Sequence, residues 1–135
     1  MIKQLLSGIV MLTLCANAFG FCNKRDIQGS WSVVINDTDE VVHCYIAYKS
    51  NATVAANASS CTIYDRLSAG TSTNNITGGA LTAKQTATGC TVTGTIVDAD
   101  GTTNVAGYMS RDGNLLMGIL SYVDGNSDFT AIKAK

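Results

Sequence analysis

Proline is absent from the 135 residues, and histidine and tryptophan occur once each. Because His43 is the lone histidine and no Gly-x-Ser-x-Gly turn presents a serine, the nucleophile–base pairs of most hydrolases are missing. No stretch after residue 20 keeps a helical period over three turns. We therefore predict a protein that is not an enzyme, needs no cofactor and is built without long helices. His43 itself is expected to be a partly exposed strand residue rather than a ligand or a base.

The first 20 residues have the pattern of an export signal. Lys3 precedes an apolar run from Leu5 to Leu14, and Ala16-Asn17-Ala18 and Ala18-Phe19-Gly20 both offer small residues for cleavage. A membrane-spanning helix needs about 20 apolar residues, roughly twice this run, so no stable membrane anchor is expected. The pattern predicts a signal peptide over residues 1–20 and a periplasmic or secreted protein.

Positive charge is scarce in the rest of the chain. The sequence has nine Lys and Arg, one of which is Lys3, so eight remain after residue 20 against ten Asp and Glu. Binding to nucleic acid without sequence preference rests on a basic surface, and we therefore expect no nucleic-acid partner. Residues 21–135 are enough for one domain with a single modest core.

Four cysteines follow the predicted signal peptide, and none of them forms a Cys-x-x-Cys pair. Without clustered ligand spacing a zinc site is disfavoured, and no metal is expected. An exported chain meets oxidising conditions, so two disulfides are predicted. If the loop after Tyr48 is centred between Ala52 and Thr53, Cys44 and Cys61 fall opposite each other on neighbouring strands. That register leaves Cys22 to pair with Cys90.

Stretches rich in Val, Ile, Thr and aromatic residues alternate with Asp, Asn and Gly turns throughout residues 21–135. Several of these turns, such as Asp98-Ala99-Asp100-Gly101 and Asp124-Gly125-Asn126, have hairpin chemistry. Eight sequential strands remove their exposed edges by closing into an up-and-down barrel, which we favour over an open sandwich. The predicted strands are Gly29 to Ile35, Val41 to Tyr48, Thr53 to Tyr64, Asn75 to Ala83, Gly89 to Val97, Thr103 to Ser110, Asn114 to Val123 and Phe129 to Lys133.

Alternation of side chains predicts which residues fill the barrel. The inward set comprises Trp31, Val33 and Ile35 on the first strand and Val92, Gly94 and Ile96 on the fifth, with Thr91, Thr93 and Thr95 facing outward. Trp31 is expected to be the core anchor at the closed end. A Gly-Gly pair at 78–79 lacks the following helix of a phosphate loop, so a bulge or a close backbone contact is predicted there.

The seventh strand, Leu115 to Val123, is apolar on both faces. Its outer face is expected either to be covered by a neighbouring loop or by self-association, or to serve as a partner surface.

The segment Gly29-Ser30-Trp31 resembles the Gly-x-Trp start of the calycin barrels, which include lipocalins, fatty-acid-binding proteins, avidins and bacterial metalloprotease inhibitors. The inhibitors add a His-Cys strand and a second cysteine one strand later, similar to His43-Cys44 and Cys61 here. This resemblance implies a calycin-like barrel, and inhibition of an enzyme through the N-terminal segment from Phe21 to Gln28.

The whole chain after residue 20 is also similar to a group of uncharacterised bacterial exported proteins with calycin-like barrels. The shared features are an early cysteine, the Gly-x-Trp, an internal Gly-Gly, a Cys-x-Val-x-Gly strand and a closing Phe-Thr-Ala-x-Lys, here Cys22, Gly29 to Trp31, Gly78-Gly79-Ala80-Leu81, Cys90 to Gly94 and Phe129 to Lys133. This resemblance implies the fold and no particular activity.

Charge is distributed unevenly between the two ends of the predicted barrel, because alternate loops of an up-and-down barrel share an end. The odd connections contain Asp37, Asp39, Glu40, Asp65, Asp98, Asp100, Asp124 and Asp128, which are eight of the ten acids. Seven of the eight bases belong to the other end, namely Lys24, Arg25, Lys49, Lys84, Arg111, Lys133 and Lys135. By analogy with calycins, the acidic rim would surround the open mouth and favour cationic partners. Alternatively, the acids serve only the hydrogen bonds of their own turns.

Two functions follow as hypotheses. The first is a binding module that holds a cationic small molecule, peptide or protein at the acidic rim, with Asp37, Asp39, Glu40, Asp98, Asp100, Asp124 and Asp128 as candidate ligand-binding residues. The second is a periplasmic inhibitor of a protease or other hydrolase that acts through residues 21–28. A purely structural surface role is a third alternative.

Overall fold

A computed structural model describes residues 21–135, so the predicted signal peptide lies outside the described residues. Eight antiparallel strands form a closed barrel in which each strand pairs with the next and the last pairs with the first. This confirms the up-and-down barrel. The elements are α1 (Lys24–Ile27), β1 (Gly29–Asn36), β2 (Glu40–Tyr48), a 3₁₀ turn (Ala56–Ala58), β3 (Ser60–Asp65), β4 (Thr71–Thr86), β5 (Gly89–Asp98), β6 (Gly101–Met109), β7 (Leu115–Tyr122) and β8 (Gly125–Lys133).

Alternate residues of the strands fill the barrel, as the sequence pattern predicts. On β1, Trp31, Val33 and Ile35 are buried, whereas the intervening Val34 is exposed. On β5, Val92 is buried and Thr93 is exposed. Within residues 21–135 no helix is long and apolar enough to cross a membrane.

The third strand is shorter than the sequence predicts, because it begins at Ser60 and not at Thr53. The predicted strand is interrupted by the 3₁₀ turn and by Ser59. The Ser59 hydroxyl accepts a hydrogen bond from the amide of Ala47 at 3.0 Å and donates one to the carbonyl of Ala55 at 2.9 Å. This buried side chain satisfies backbone groups that a continuous strand would have paired, so the chain leaves the ladder there.

The fourth strand is longer than predicted, and residues 52–54 pair with its middle. The amide of Val54 donates to the carbonyl of Gly79, and the amide of Leu81 donates to the carbonyl of Ala52. The register of β4 against β5 shifts between Ile76 and Gly78, which confirms the predicted bulge. At Gly79 the predicted close contact is also confirmed, since a Cβ there would lie 2.3 Å from the carbonyl oxygen of Thr95.

Two disulfides fasten the barrel, with the predicted connectivity. Cys44 and Cys61 are directly opposed in the register of β2 and β3 and are bonded to each other. Cys22 is bonded to Cys90 and ties the N-terminal segment to β5. By restricting the unfolded chain, the Cys44–Cys61 disulfide, with a sequence separation of 17, raises the free energy of unfolding by about 3 kcal/mol. The Cys22–Cys90 disulfide, with a separation of 68, raises it by about 4 kcal/mol.

The N-terminal segment closes one end of the barrel. The side chain of Asn23 caps α1, and Ile27 at the end of this helix is buried. Trp31 Nε1 donates a hydrogen bond to the carbonyl of Ile27 at 2.8 Å. Lys133 Nζ donates to the carbonyl of Asp26 and lies 5.2 Å from the centre of a Trp31 ring. Burial lowers the pKa of Lys133, an effect that Asp26 partly offsets.

Candidate functional site: an apolar cavity with an acidic mouth

A cavity of about 620 Å³ occupies the interior of the barrel. It extends from Ile27 of the plug to the loops at the opposite end. This volume lies within the range of about 300–1,000 Å³ that is typical of small-molecule sites. Its walls between the two ends are formed largely by apolar side chains, including Trp31, Val33, Ile35, Val42, Ile46, Ile63, Ile76, Leu81, Ile96, Val105, Met109, Leu116, Leu120, Phe129 and Ala131.

Strand chemistry explains why these walls are apolar. The inward positions of β1 carry Trp31, Val33 and Ile35, and those of β8 carry Ser127, Phe129 and Ala131. Their outward positions are mostly Ser, Thr, Asn or Asp, with Val34 and Ile132 as exceptions. The Cys44–Cys61 disulfide also faces the cavity, because the two residues share an inward position of the ladder. A ligand in this cavity would contact apolar side chains and the disulfide sulfurs, instead of water, over most of its length.

The mouth of the cavity is lined by carboxylates from three connections and their flanking strand ends. Asp37 and Glu40 flank the β1–β2 loop, Asp98 and Asp100 belong to the β5–β6 hairpin, and Asp124 belongs to the β7–β8 hairpin. None of these five carboxylates forms an ion pair with a Lys or Arg of residues 21–135. The negative charge of the mouth is therefore not neutralised by the described part of the protein.

The other three acids of this end do not line the cavity. Asp39 lies exposed in the β1–β2 loop. Asp128 is exposed on β8, where its neighbours Ser127 and Phe129 take the inward positions. Asp65 accepts backbone hydrogen bonds from Leu67 at 2.7 Å and Ser68 at 3.0 Å.

Some of the acids at this end stabilise their own turns. The hydrogen bonds from Ser68 and Leu67 hold the pKa of Asp65 below its usual value. At the mouth, the amide of Asp100 donates to Asp98 at 2.8 Å, and the amide of Thr38 donates to Asp37 at 2.7 Å. Hydrogen bonding within turns thus explains the presence of some of these acids. The carboxylates that line the mouth nevertheless have no Lys or Arg partner among residues 21–135 and lie around one opening.

Tyr122 on β7 lies close to several carboxylates of the mouth. Burial raises the pKa of its phenol, and the negative charges of Asp37, Glu40 and Asp98 raise it further, while Ser127 partly offsets them. Ser127 is buried and donates from its hydroxyl to Asp37 Oδ2 at 3.2 Å. Carboxylates from separate loops therefore act together on a group at the rim.

The bases collect at the opposite end, so the barrel is polarised. Closure in strand order places α1, the β2–β3, β4–β5 and β6–β7 connections and the C-terminus there. These segments and the adjoining strand ends carry Lys24, Arg25, Lys49, Lys84, Arg111, Lys133 and Lys135.

His43 lies on the outside of the barrel, away from the cavity. Its Nε2 is 2.8 Å from the Ser32 hydroxyl, and its ring contacts that of Tyr45 edge-on at 4.8 Å between centroids. The prediction of a partly exposed strand residue is confirmed.

The outer face of β7 is exposed. Met117 and Ile119 on β7, Tyr108 on β6 and Ile132 on β8 all present large exposed side chains. The expectation that a neighbouring loop covers this face is wrong for residues 21–135, and self-association or a partner surface stays a prediction.

Comparisons with known proteins gave no matching family model, no matching curated protein and no matching solved structure. The calycin analogy predicts an open mouth at the acidic rim but not the size of the cavity, since alternation identifies inward residues without saying how much space they leave.

Proposed function

We propose that this chain is an exported binding protein that holds one small amphipathic molecule, with its apolar body in the barrel and its cationic group at the acidic mouth. A single observation carries the proposal, namely that an apolar cavity of about 620 Å³ opens between five carboxylates. Burial of apolar ligand surface in the cavity contributes about 25 cal/mol per Å² to the free energy of binding. The mouth selects the charge at the exposed end.

Electrostatics at the mouth favours a cation over an anion or a neutral group. Low-dielectric walls concentrate the field of charges at the opening of a cleft. Carboxylates from different loops repel one another, and a bound cation relieves that repulsion. The effect is screened by salt over about 8 Å at physiological ionic strength.

The proposed location is the periplasm or the outside of the cell. Two disulfides form readily only under oxidising conditions, and the sequence of residues 1–20 is typical of a signal peptide. Kinship with the calycin barrels is part of the same proposal, supported by Gly29-Ser30-Trp31 at the start of β1.

Inhibition of a hydrolase through residues 21–28 stays a prediction. In this segment Asn23, Lys24, Arg25 and Gln28 are exposed, whereas Cys22 and Ile27 are buried in the closed end. An inhibitor of this type would lose activity when Lys24 and Arg25 are changed, while a mouth binder would not.

The test compares two probes of equal chain length and opposite charge, dodecylammonium and dodecanoate, by isothermal calorimetry below their micelle concentrations. We expect the ammonium probe to bind at least about tenfold more tightly, and its affinity to fall as salt is added. Equal affinity for the two probes, or no binding of the ammonium, would contradict the proposal.

A matched pair of variants locates the charge effect. Asp98→Asn with Asp124→Asn removes two carboxylates that line the cavity, and Asp39→Asn with Asp128→Asn removes two from the same end that do not. At about 0.2–1 kcal/mol for each charge pair, the first variant should lose roughly 2- to 30-fold in affinity for dodecylammonium. The second should lose markedly less.

A further inference from the structure

Tyr48 lies at the end of the cavity opposite the mouth. It is the last residue of β2, where it pairs with Gly29 at the start of β1 and forms a bridge with Val54. Its side chain lines the cavity together with Trp31 and Ile27 of the closed end. The closed half of the cavity thus contains one phenol among apolar walls.

The hydroxyl of Tyr48 has no hydrogen-bond partner among residues 21–135. Tyr48 is only 7% exposed, and burial alone raises the pKa of its phenol far above the ordinary value, so the group stays neutral. The indole N–H of Trp31, in contrast, is occupied by the carbonyl of Ile27.

Every fully buried side-chain nitrogen or oxygen in this part of the chain has a partner. The unpartnered Tyr48 hydroxyl therefore keeps some accessible surface, and Tyr48 is one of the residues that line the cavity. A hydroxyl that keeps accessible surface and has no partner among residues 21–135 is available to a hydrogen-bonding group from outside the chain, since polar groups inside folded proteins are normally hydrogen-bonded.

We propose that the Tyr48 hydroxyl is a hydrogen-bonding anchor for the far end of the ligand, which therefore carries an uncharged polar group, such as a hydroxyl or a carbonyl, opposite its cationic end. This inference rests on the function proposed above. An uncharged group is required because an unpaired charge among the apolar walls of the closed half would be strongly disfavoured. The ligand is then polar at both ends and apolar between them.

The strand geometry limits the length of such a ligand. Tyr48 is eight residue steps along β2 from Glu40 at the mouth, which corresponds to about 27 Å along an antiparallel strand. Strands of barrels tilt by roughly 35–45° from the axis, so the two ends are separated by about 20 Å along the axis. The ligand is at most of this length.

The experiment uses ω-hydroxyalkylamines of increasing chain length, each compared with the alkylamine that lacks the hydroxyl. In the wild-type protein we expect one chain length at which the hydroxyl improves affinity roughly 2- to 12-fold, the contribution of one neutral hydrogen bond. Tyr48→Phe should abolish this gain, so that the hydroxyalkylamine and the plain alkylamine of the same length bind the variant with equal affinity. Tyr108→Phe, on the outer face, is the matched control and should keep the gain.

The outcomes separate the two proposals. If the alkylamines bind but no chain length shows a gain that depends on Tyr48, the anchor is refuted and the binding function stands. If no amine binds, the binding function fails and the anchor fails with it.

Thermal melts of the ligand-free proteins give a further check, since Tyr48→Phe should melt at the same temperature as wild type or higher. A clear decrease would show that the hydroxyl already has a partner within the protein, which would also overturn the anchor.

Discussion

At the scale of the residue, the sole tryptophan joins the plug to the barrel wall. Trp31 is 2% exposed, donates to the carbonyl of Ile27 and lies beneath the ammonium of Lys133. One side chain therefore couples β1, α1 and β8 at the closed end.

Replacing Trp31 by alanine should lower the free energy of unfolding by about 3–5 kcal/mol, because the change removes a large buried aromatic and leaves a cavity. Denaturant unfolding followed by circular dichroism measures this loss. Val123→Ala, at a side chain that is 98% exposed, is the control and should change stability by less than about 0.5 kcal/mol. An unchanged midpoint for Trp31→Ala would refute the role of Trp31 as the core anchor.

Single residues differ in how far the sequence predicts them. The inward direction of Trp31 and the opposition of Cys44 and Cys61 follow from the two-residue period and the strand register, which are local properties of the chain. The role of Tyr48 does not follow from them. Alternation places it inside, but whether its hydroxyl finds a partner depends on side chains from the plug and the facing strands.

At the scale of the element, the middle of β4 lies between β5 and residues 52–54. Gly79 has a φ of +123°, and the carbonyl oxygen of Thr95 occupies the space that its Cβ would need. Gly78 beside it has no such restriction, since a Cβ there would be 4.0 Å from its nearest neighbour, Val97. The two glycines form a natural comparison.

Gly79→Ala should destabilise the protein by about 1–3 kcal/mol, because alanine is strained at this φ and its methyl group meets backbone that cannot move easily. Gly78→Ala should be close to neutral. Urea unfolding of the two variants provides the measurement. If both variants lose the same free energy of unfolding, the close approach of β4 and β5 at Gly79 is incorrect.

The ends of the elements were harder to predict than their existence. Hairpin signals such as Asp98-Ala99-Asp100-Gly101 identify the connections between the later strands, because these turns are specified by their own residues. The β2–β3 connection is not specified in this way. Ser59 bonds back to Ala47 and Ala55 through its side chain, and residues 52–54 pair with β4. These are tertiary contacts that no local pattern reveals.

At the scale of the whole molecule, closure in strand order produces both the cavity and the charge asymmetry. Alternate connections meet at one end, which is why carboxylates far apart in the sequence, such as Asp37, Asp98 and Asp124, line one mouth. This juxtaposition could be predicted from the strand count alone. The open volume between the walls could not, because it is the difference between the size of the barrel and the volume of the side chains that fill it.

The central claim is that an amphipathic cation lies in the barrel with the end remote from its charge at the closed half, and the fluorescence of the sole tryptophan tests it directly. Trp31 lines the closed half of the cavity, and bromine quenches indole fluorescence at contact. The probes are two dodecylamines, one brominated at the end remote from the amine and the other beside the amine. We expect saturable quenching by the first probe and little by the second. Equal quenching by both, or no saturable quenching by either, would contradict entry of the ligand into the barrel.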